Sequence, residues 1–341
     1  MMTVTVGMIG AGRIGQLHVD NLKLIPQIRV KSVSDVVIDH LKEWAESKGI
    51  ETLTTDYRDL LNDPEINAIF ICSPTTTHAS IIKEAAAAGK HIFCEKPVSF
   101  SVEETEAALK EVEKAGVKLQ VGFNRRFDPN FRKVRSVVQN GDIGQPHIIR
   151  ITSRDPQPPG VDYIKSSGGL FMDMMIHDFD MARYIMDSEV VEVSAAGTVL
   201  IDEAIGQAGD IDTAIVTLKF ANGALGVIDN SRQAVYGYDQ RLEVFGNKGA
   251  AQADNNRPTS VEVSTADHVT KEKPLYFFLE RYTQAYIDEV IEFAKACSEN
   301  KEVSCSGFDG LQAERIARAA KESFEKGMPV KLYSDASSVL Q

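Results

Sequence analysis

Long apolar runs are absent from this 341-residue sequence, and cysteine and positive charge are both scarce. Nothing approaches the roughly 20 consecutive apolar residues that a helix needs to cross a bilayer, so no membrane association is expected. The 37 basic side chains are outnumbered by 49 acidic ones, which gives a net charge of −12. Nucleic acids and anionic membranes both require basic surface, so neither is a predicted partner. A small anionic ligand is still compatible, because a site can be locally positive.

The four cysteines lie far apart without a Cys-x-x-Cys pair, and the N-terminus lacks the charged and apolar regions of a signal peptide. The sequence therefore predicts a cytoplasmic, disulfide-free protein. The seven histidines are scattered and include no His-Glu-x-x-His pattern, so we predict no metal site. A chain of 341 residues is long enough that two domains are expected.

A glycine-rich loop follows a buried strand predicted over residues 4–9 and precedes a helix predicted to run to about residue 24. Its glycines, Gly10, Gly12 and Gly15, have the spacing of a dinucleotide-binding turn. A second strand ends at Asp35, 20 residues after Gly15, where such sites place an acid for the ribose 2′-hydroxyl. Asp35 would also repel a 2′-phosphate, and residues 36–38 offer no arginine to attract one. We therefore predict NAD as the cofactor.

Strands alternate with helices through the first third of the chain. Further strands are predicted at residues 29–34, 68–71, 90–94 and 118–121. Ser101 and Glu104 form a capping-box pattern that begins a helix ending near Gly116. This alternation predicts an α/β Rossmann domain over residues 1–121, with a doubly wound parallel sheet.

Polar clusters follow these strands at residues 73–77, 95–97 and 124–126, in addition to the glycine loop and Asp35. Ligands bind outside the carboxyl ends of the strands in such sheets. We therefore predict cofactor contacts from Gly10, Gly12, Arg13, Ile14, Gly15, Asp35, Ser73, Pro74, Thr75, His78, Glu95 and Lys96.

The pattern changes after residue 121, where a helix at residues 130–139 leads into strands that follow one another. These strands are predicted at residues 147–152, 190–194, 212–220, 224–228 and 241–245, with helices at 274–298 and 308–326. Asn222-Gly223 is typical of a hairpin turn. Residues 122–341 are therefore predicted to form an α+β domain with a large, mostly antiparallel open sheet. Its open face is a plausible oligomer surface, and the final contacts of the late helices could return to the first domain.

Asp173, His177 and Asp180 are spaced to share one stripe of a predicted helix that otherwise carries Phe, Met and Ile. A surface helix is apolar on one stripe and polar elsewhere, so this inverted pattern points ionisable groups into a protein interior. An Asp four residues before a His can orient the ring for proton transfer. Asp178 lies off the stripe. Asp180 is left open between a substrate contact and a bond to the backbone or to Arg183.

Three motifs occur here in the order and spacing of one known family: the glycine loop, Glu95-Lys96-Pro97, and the Gly-Gly-x-x-x-Asp-x-x-x-His-Asp segment from Gly168 to Asp178. The chain resembles the glucose–fructose oxidoreductase/inositol dehydrogenase family almost end to end, and residues 230–246 look most like its inositol 2-dehydrogenase branch. The resemblance implies a homotetrameric, cytoplasmic enzyme of inositol catabolism that oxidises myo-inositol to scyllo-inosose with NAD.

By motif match, the resemblance implies that Lys96, Asp173 and His177 are the catalytic set. Imidazole, with an ordinary pKa near ~6.5, suits the base, while a lysine can polarise the developing alkoxide. The polyol contacts implied by the resemblance are Arg126, Asp155, Asp173, His177 and Tyr236. Two alternatives stay open: a dehydrogenase of another sugar or polyol (scyllo-inositol, an aldose or an anhydrosugar), and a non-catalytic NAD(H)-binding regulator.

Overall fold

The computed structural model describes residues 4–332, which divide into two compact units. The first unit contains the described residues up to Phe127 together with Gln284–Glu314, and the second contains Asp128–Thr283 and the described residues from Arg315. This division differs from the predicted boundary at 121/122, because the chain returns to the first unit at Gln284. The return is held by hydrogen bonding, since the Val121 N–H donates to the Cys305 carbonyl at 3.0 Å.

The first unit is built on a six-stranded parallel sheet in the order β3-β2-β1-β4-β5-β6. Its strands are β1 Val4–Ile9, β2 Ile28–Ser34, β3 Thr52–Thr54, β4 Ala68–Ile71, β5 His91–Cys94 and β6 Leu119–Val121. The strand order reverses between β1 and β4, which is where doubly wound sheets bind their ligands. The predicted parallel sheet is confirmed.

The helices of the first unit lie between these strands and after the second unit's sheet. They are α1 Arg13–Lys23, α2 Lys42–Ser47, α3 Arg58–Asn62, α4 Thr75–Ala87, α5 Val102–Ala115 and, numbered in chain order, α12 Thr283–Ser298, with short 3₁₀ turns at Asp39–Leu41 and Asn124–Phe127. The predicted cap of α5 is half formed: the Ser101 hydroxyl accepts from the Glu104 N–H at 3.3 Å. The Glu104 carboxylate instead accepts from the Ser99 hydroxyl at 2.7 Å.

Aromatic packing fastens α12 onto the parallel sheet. Phe70 on β4 and Phe93 on β5 stack with ring centroids 4.7 Å apart. Phe293 from α12 meets both rings edge-on, at 5.4 and 5.8 Å. All three rings are fully buried, and truncating one buried Phe to Ala typically costs about 3–5 kcal/mol of folding free energy. The late helix therefore completes the core of the first unit.

The second unit contains a seven-stranded mixed sheet in the order β12-β11-β7-β10-β9-β8-β15, and a separate hairpin, β13-β14. The strands are β7 Pro146–Arg154, β8 Val190–Thr198, β9 Thr213–Phe220, β10 Leu225–Ser231, β11 Asp239–Gly246, β12 Gly249–Ala253, β13 Glu262–Ser264, β14 Val269–Lys271 and β15 Val330–Lys331. Neighbouring strands run antiparallel except β7 and β10, which are parallel. The predicted Asn222-Gly223 turn joins β9 to β10, with Gly223 at φ +87°.

Helices cover one face of this sheet's residues and leave alternate side chains of the strands exposed, as along β9. The helices are α6 Pro129–Gln139, α7 Val161–Ser167, α8 Gly169–Asp173, α9 Ile176–Met186, α10 Glu203–Gln207 and α11 Phe278–Arg281, together with the part of α13 Gly307–Lys326 that begins at Arg315. The helix predicted at 274–298 is two helices, α11 and α12, separated at Tyr282. No helix among residues 4–332 is long and apolar enough to cross a membrane.

The segment predicted as one helix around Asp173, His177 and Asp180 is interrupted. Helix α8 ends at Asp173, and α9 begins at Ile176. The N–H groups of Met174 and Met175 both donate to the Leu170 carbonyl, which breaks the regular hydrogen-bond ladder. The single helical stripe was therefore wrong in its geometry. Of its three members, Asp180 is fully buried, whereas Asp173 and His177 are half-buried. Asp178, which lay off the predicted stripe, is also fully buried.

Candidate active site

The glycine loop leaves room for a ligand above the start of α1. Gly10 has φ +90°, and a Cβ atom there would lie 2.5 Å from the Ser73 backbone nitrogen. A Cβ at Gly15 would clash with the Gly10 carbonyl oxygen, whereas a Cβ at Gly12 would meet no atom within 4 Å. The first turn of α1 has no acidic residue and no side-chain cap. Open space beside uncapped N–H groups fits the pyrophosphate of a dinucleotide.

Asp35 lies directly after β2 and fastens the same loop. One carboxylate oxygen accepts from the Ala11 N–H at 2.8 Å, and the other accepts from the Val37 N–H at 3.1 Å. The carboxylate is thus held at the carboxyl end of the strand, beside the glycine turn. This is the position from which an acid can bind ribose hydroxyls.

The loops after β4 and β5 are joined by a buried histidine. The two ring nitrogens of His78 lie 2.7 Å from the Ser73 carbonyl oxygen and 2.8 Å from the Pro97 carbonyl oxygen. Burial lowers the pKa of His78, although both carbonyls favour its charged form. Lys96 precedes Pro97 through a cis peptide bond and is partly buried. His78 therefore supports the two strand-end loops, and its predicted contact with the cofactor stays a prediction.

Arg126, predicted to contact substrate, has strong partners inside the first unit. Its guanidinium lies 3.0 Å from Asp309 Oδ1 and donates to the Ser304 carbonyl at 3.2 Å. The side chain is only 7% exposed. These contacts give Arg126 a structural role, and the polyol contact stays a prediction.

In the second unit, Asp173 is held by two side chains. One of its oxygens accepts from the Tyr163 hydroxyl at 2.8 Å, and the other accepts from Arg232 Nη1 at 3.3 Å. Arg232 is fully buried and also lies 3.7 Å from Asp210 Oδ2. Asp210 in turn accepts from the Leu170 N–H at 3.0 Å. A buried guanidinium between two carboxylates therefore fixes the orientation of Asp173.

Two glycines allow the tight turn that precedes Asp173. Gly168 and Gly169 have φ values of +87° and +83°, so α7 ends and α8 begins within a left-handed turn. A Cβ atom at Gly169 would lie 2.8 Å from Asp210 Oδ1. A β-carbon at either position would strain the backbone, and at Gly169 it would also displace Asp210.

His177 lies in the first turn of α9, which a buried hydrogen bond joins to the sheet. Asp178 Oδ2 accepts from Asn230 Nδ2 on β10 at 2.9 Å. This bond fixes the position of Asp178, the residue next to His177, relative to β10. This contact gives Asp178, which lay off the predicted stripe, a structural role.

The remaining predicted polyol residues lie where the parallel strands β7 and β10 end. Asp155 follows β7, and its N–H donates to the Ser231 carbonyl at 3.0 Å. The Tyr236 hydroxyl donates to Asp239 at 2.6 Å and accepts from Arg154 at 3.2 Å. Burial, then the bond to Asp239, raises the pKa of Tyr236. The second unit thus groups Asp155, Asp173 and Tyr236 around one strand edge.

Comparison with known families matches both units. Residues 4–123 match the model for an oxidoreductase family with an NAD-binding Rossmann fold, and residues 131–252 match the GFO/IDH/MocA C-terminal domain. A Bacillus subtilis protein described as the uncharacterized oxidoreductase YrbE is 63% identical, with 96% of each chain covered. This chain belongs to the GFO/IDH/MocA family. It is an NAD-dependent dehydrogenase.

Other members of the GFO/IDH/MocA family are similar along their whole length. Myo-inositol 2-dehydrogenase of Thermotoga maritima is 51% identical, with 96% of this chain and 98% of the relative covered. The crystal structure of scyllo-inositol dehydrogenase from Lactobacillus casei, with bound NAD(H) and scyllo-inositol, superposes with a TM-score of 0.90. That structure is 31% identical and covers 96% of this chain and 99% of its own.

Three residues of this GFO/IDH/MocA chain were missed by sequence reasoning: Tyr163, Asp210 and Arg232. Arg232 is 59 positions from Asp173, and an arginine that follows a strand reads as an ordinary surface residue. Asp210 lies in a loop without periodicity. The double glycine at 168–169 was the available signal, since it marked a turn that needs a close neighbour.

Replacing Asp35 with serine is expected to raise the preference for NADP relative to NAD by at least about tenfold, because a repulsive charge beside the 2′-phosphate is removed. The ratio of kcat/KM for the two cofactors measures this. Asp39→Ser is the matched control, since it removes a highly exposed acid four residues away. An unchanged ratio in a normally folded Asp35→Ser protein would contradict the assignment.

Arg232→Met is expected to destabilise the second unit by about 3–5 kcal/mol, because the substitution leaves Asp173 and Asp210 buried without their cation. Arg232→Lys should recover part of this loss. Thermal or denaturant unfolding measures the effect, with Arg150→Met as control. The Arg150–Glu243 pair, 3.2 Å apart, is exposed and should contribute only about 0–1 kcal/mol. Equal losses in the two Met variants would refute the buried-cation role.

Proposed function

We propose that this dehydrogenase oxidises a cyclic polyol, myo-inositol, to the 2-keto product scyllo-inosose. The observation that carries the proposal is a polar cluster of the second unit. Asp173 is held there by Tyr163 and by Arg232, and Arg232 follows Ser231, whose carbonyl accepts from the Asp155 N–H. Fixed carboxylates recognise neighbouring hydroxyl groups by accepting their hydrogen bonds. The T. maritima relative, named for myo-inositol, supports this substrate.

Bound NAD would supply the hydride acceptor. We propose that His177 takes the hydroxyl proton, that Asp173 binds a neighbouring hydroxyl and orients the reaction, and that Lys96 stabilises the developing alkoxide. Asp173 is suited to this task because its two oxygens are already fixed by Tyr163 and Arg232. The remaining contacts proposed for the polyol are Arg126, Asp155 and Tyr236. The proposed cofactor contacts are those predicted from the sequence.

A homotetramer is part of the same proposal. An apolar row crosses the uncovered face of the seven-stranded sheet, where Leu225 and Phe245 flank Ile148 on neighbouring strands. Leu225 and Phe245 are each about half exposed, at 49% and 48%. Burial of such a row between copies would remove it from water. Light scattering on the purified protein tests the assembly.

The predicted cytoplasmic location is supported by four free cysteines.

The test of function is NAD reduction, followed by nicotinamide absorbance, with myo-inositol, scyllo-inositol, glucose and an anhydrosugar. Turnover with myo-inositol and NAD, well above that with the other compounds, is the expected result. Preference for scyllo-inositol would assign the activity named for the L. casei structure instead. Binding of NADH without turnover on any compound would favour a regulator over an enzyme.

A further inference from the structure

Three titratable side chains meet inside the first unit, and one of them is the predicted cofactor contact Glu95. They are His18 from α1, Glu95 after β5 and Glu289 from α12. One ring nitrogen of His18 and one carboxyl oxygen of each glutamate all lie within 4.8 Å of one another. His18 and Glu289 are fully buried, and the Glu95 side chain is 15% exposed. Glu95 is the residue immediately before Lys96.

Glu289 is the second carboxyl group of this cluster. Among residues 4–332, neither of its carboxyl oxygens has a hydrogen-bond partner. Only its backbone is engaged, since the Glu289 carbonyl accepts from Gln120 Nε2 at 3.0 Å. Burying an ionised carboxylate in this way would cost a large amount of folding free energy, whereas burying the protonated acid costs much less. Burial, and then the charge of Glu95, raises the pKa of Glu289 well above its ordinary value.

Glu95 is bonded to His18 instead. Its Oε1 lies 2.7 Å from His18 Nε2. Two ligands of one zinc ion would be roughly 3.3 Å apart at tetrahedral angles, so this pair holds a proton rather than a metal between its atoms. The carboxyl group also fills a slot over Gly122, where a Cβ atom would come within 3.1 Å of it.

Two further titratable groups near Glu289 do not supply a positive charge. Cys72, after β4, is half-buried, and desolvation raises the pKa of the thiol, with Glu95 and Glu289 adding to the shift. Tyr286, one turn earlier on α12, has its ring 5.9 Å from the His18 ring. The cluster can therefore carry one carboxylate charge, but a second would be repelled within 4.8 Å of the first.

We propose that Glu289 and Glu95 form a buried acid pair that keeps one proton on Glu289, and that this pair and His18 are positioning residues for Lys96. The backbone reaches Lys96 directly from Glu95, whose own N–H is fixed to the Ile71 carbonyl at 2.9 Å. Deprotonation of Glu289 drives the two carboxylates apart and moves the loop that carries the lysine. The clause about Lys96 rests on the function proposed above, whereas the proton on Glu289 does not.

Infrared spectroscopy of the full-length protein tests the proton. As the pH is raised stepwise above the ordinary carboxyl range, we expect the carbonyl band of a protonated carboxylic acid to persist in the wild type and to be lost in Glu289→Gln. The control is Glu314→Gln. Glu314 is a second buried glutamate of the first unit, and burial raises its pKa to about 7, so its own band should disappear as the pH passes through that value. The band should persist in Glu314→Gln.

The pH dependence of folding stability also reports the proton on Glu289. The folded protein keeps a proton that an unfolded glutamate releases above about pH 4.3, so the Glu289 contribution to stability falls as pH rises toward its folded-state pKa. Glu289→Gln removes this dependence. Its Tm should therefore exceed that of the wild type by a margin that grows with pH.

Turnover tests the positioning role. With the polyol and NAD, the alkaline limb of kcat should move to higher pH in Glu289→Gln, while the Kd for NADH stays within about threefold. An unshifted limb with the infrared band still lost would overturn the positioning clause alone. A band that survives in Glu289→Gln, or a stoichiometric metal ion lost with that substitution, would overturn the assignment of the proton to Glu289. Absence of polyol turnover would refute the proposed function and leave the infrared result standing.

Discussion

Lys96→Ala is expected to lower kcat for polyol oxidation by about 10²–10⁴-fold while the Kd for NADH changes little. The reason is that an ammonium group placed at a developing alkoxide stabilises the transition state more than the bound substrate. Stopped-flow or steady-state nicotinamide absorbance gives kcat, and fluorescence titration gives the Kd.

The matched control for Lys96 is Lys110→Ala, which removes an exposed lysine of α5 in the same unit. That variant should retain wild-type turnover. Lys96→Arg separates the role of the charge from that of proton transfer, because guanidinium keeps the charge but cannot give up its proton. Near-normal turnover in Lys96→Ala would remove this lysine from the mechanism.

His177→Ala is expected to lower kcat/KM by a similar factor, about 10²–10⁴-fold, because the hydroxyl proton loses its acceptor. Loss of a histidine base should also remove the acidic limb of the pH profile of kcat/KM, since an imidazole accepts protons only above its pKa. Steady-state rates from acid to alkaline pH measure both effects.

An exposed histidine on β7 provides the comparison for His177. His147→Ala removes an imidazole from the sheet surface and should leave both the rate and the acidic limb as they are. If His177→Ala keeps its acidic limb and loses only rate, the base lies elsewhere, and His177 binds the substrate without taking its proton.

Local patterns predicted the nucleotide half of this molecule well. Strand β1, the glycine loop and Asp35 lie within about 30 residues of one another, so their relationship depends on the geometry of a single βαβ unit. The structure shows open space at Gly12 and places the Asp35 carboxylate beside the glycine loop, where it accepts from the Ala11 N–H. Five strands of the second unit, β7 to β11, were also predicted, whereas the shorter strands β12 to β15 were not.

Features that depend on distant partners could not be predicted from the same patterns. The break between α8 and α9 arises from a few backbone hydrogen bonds at Leu170, which a helical stripe cannot reveal. Asp173 depends on Arg232, far along the chain, and Glu289 meets Glu95 only because α12 packs on the parallel sheet. Periodicity reports which face of an element is buried, but it carries no information about the particular side chain across from it.

The return of the chain to the first unit at Gln284 sets an order of events during synthesis. Phe70 and Phe93 leave the ribosome long before Phe293, the ring that covers them, has been made. The nascent nucleotide-binding unit must therefore wait, with this aromatic surface uncovered, while the whole intervening sheet is translated. We expect that interval to be the period in which the growing polypeptide most needs a chaperone, and truncation before α12 to yield an aggregating fragment.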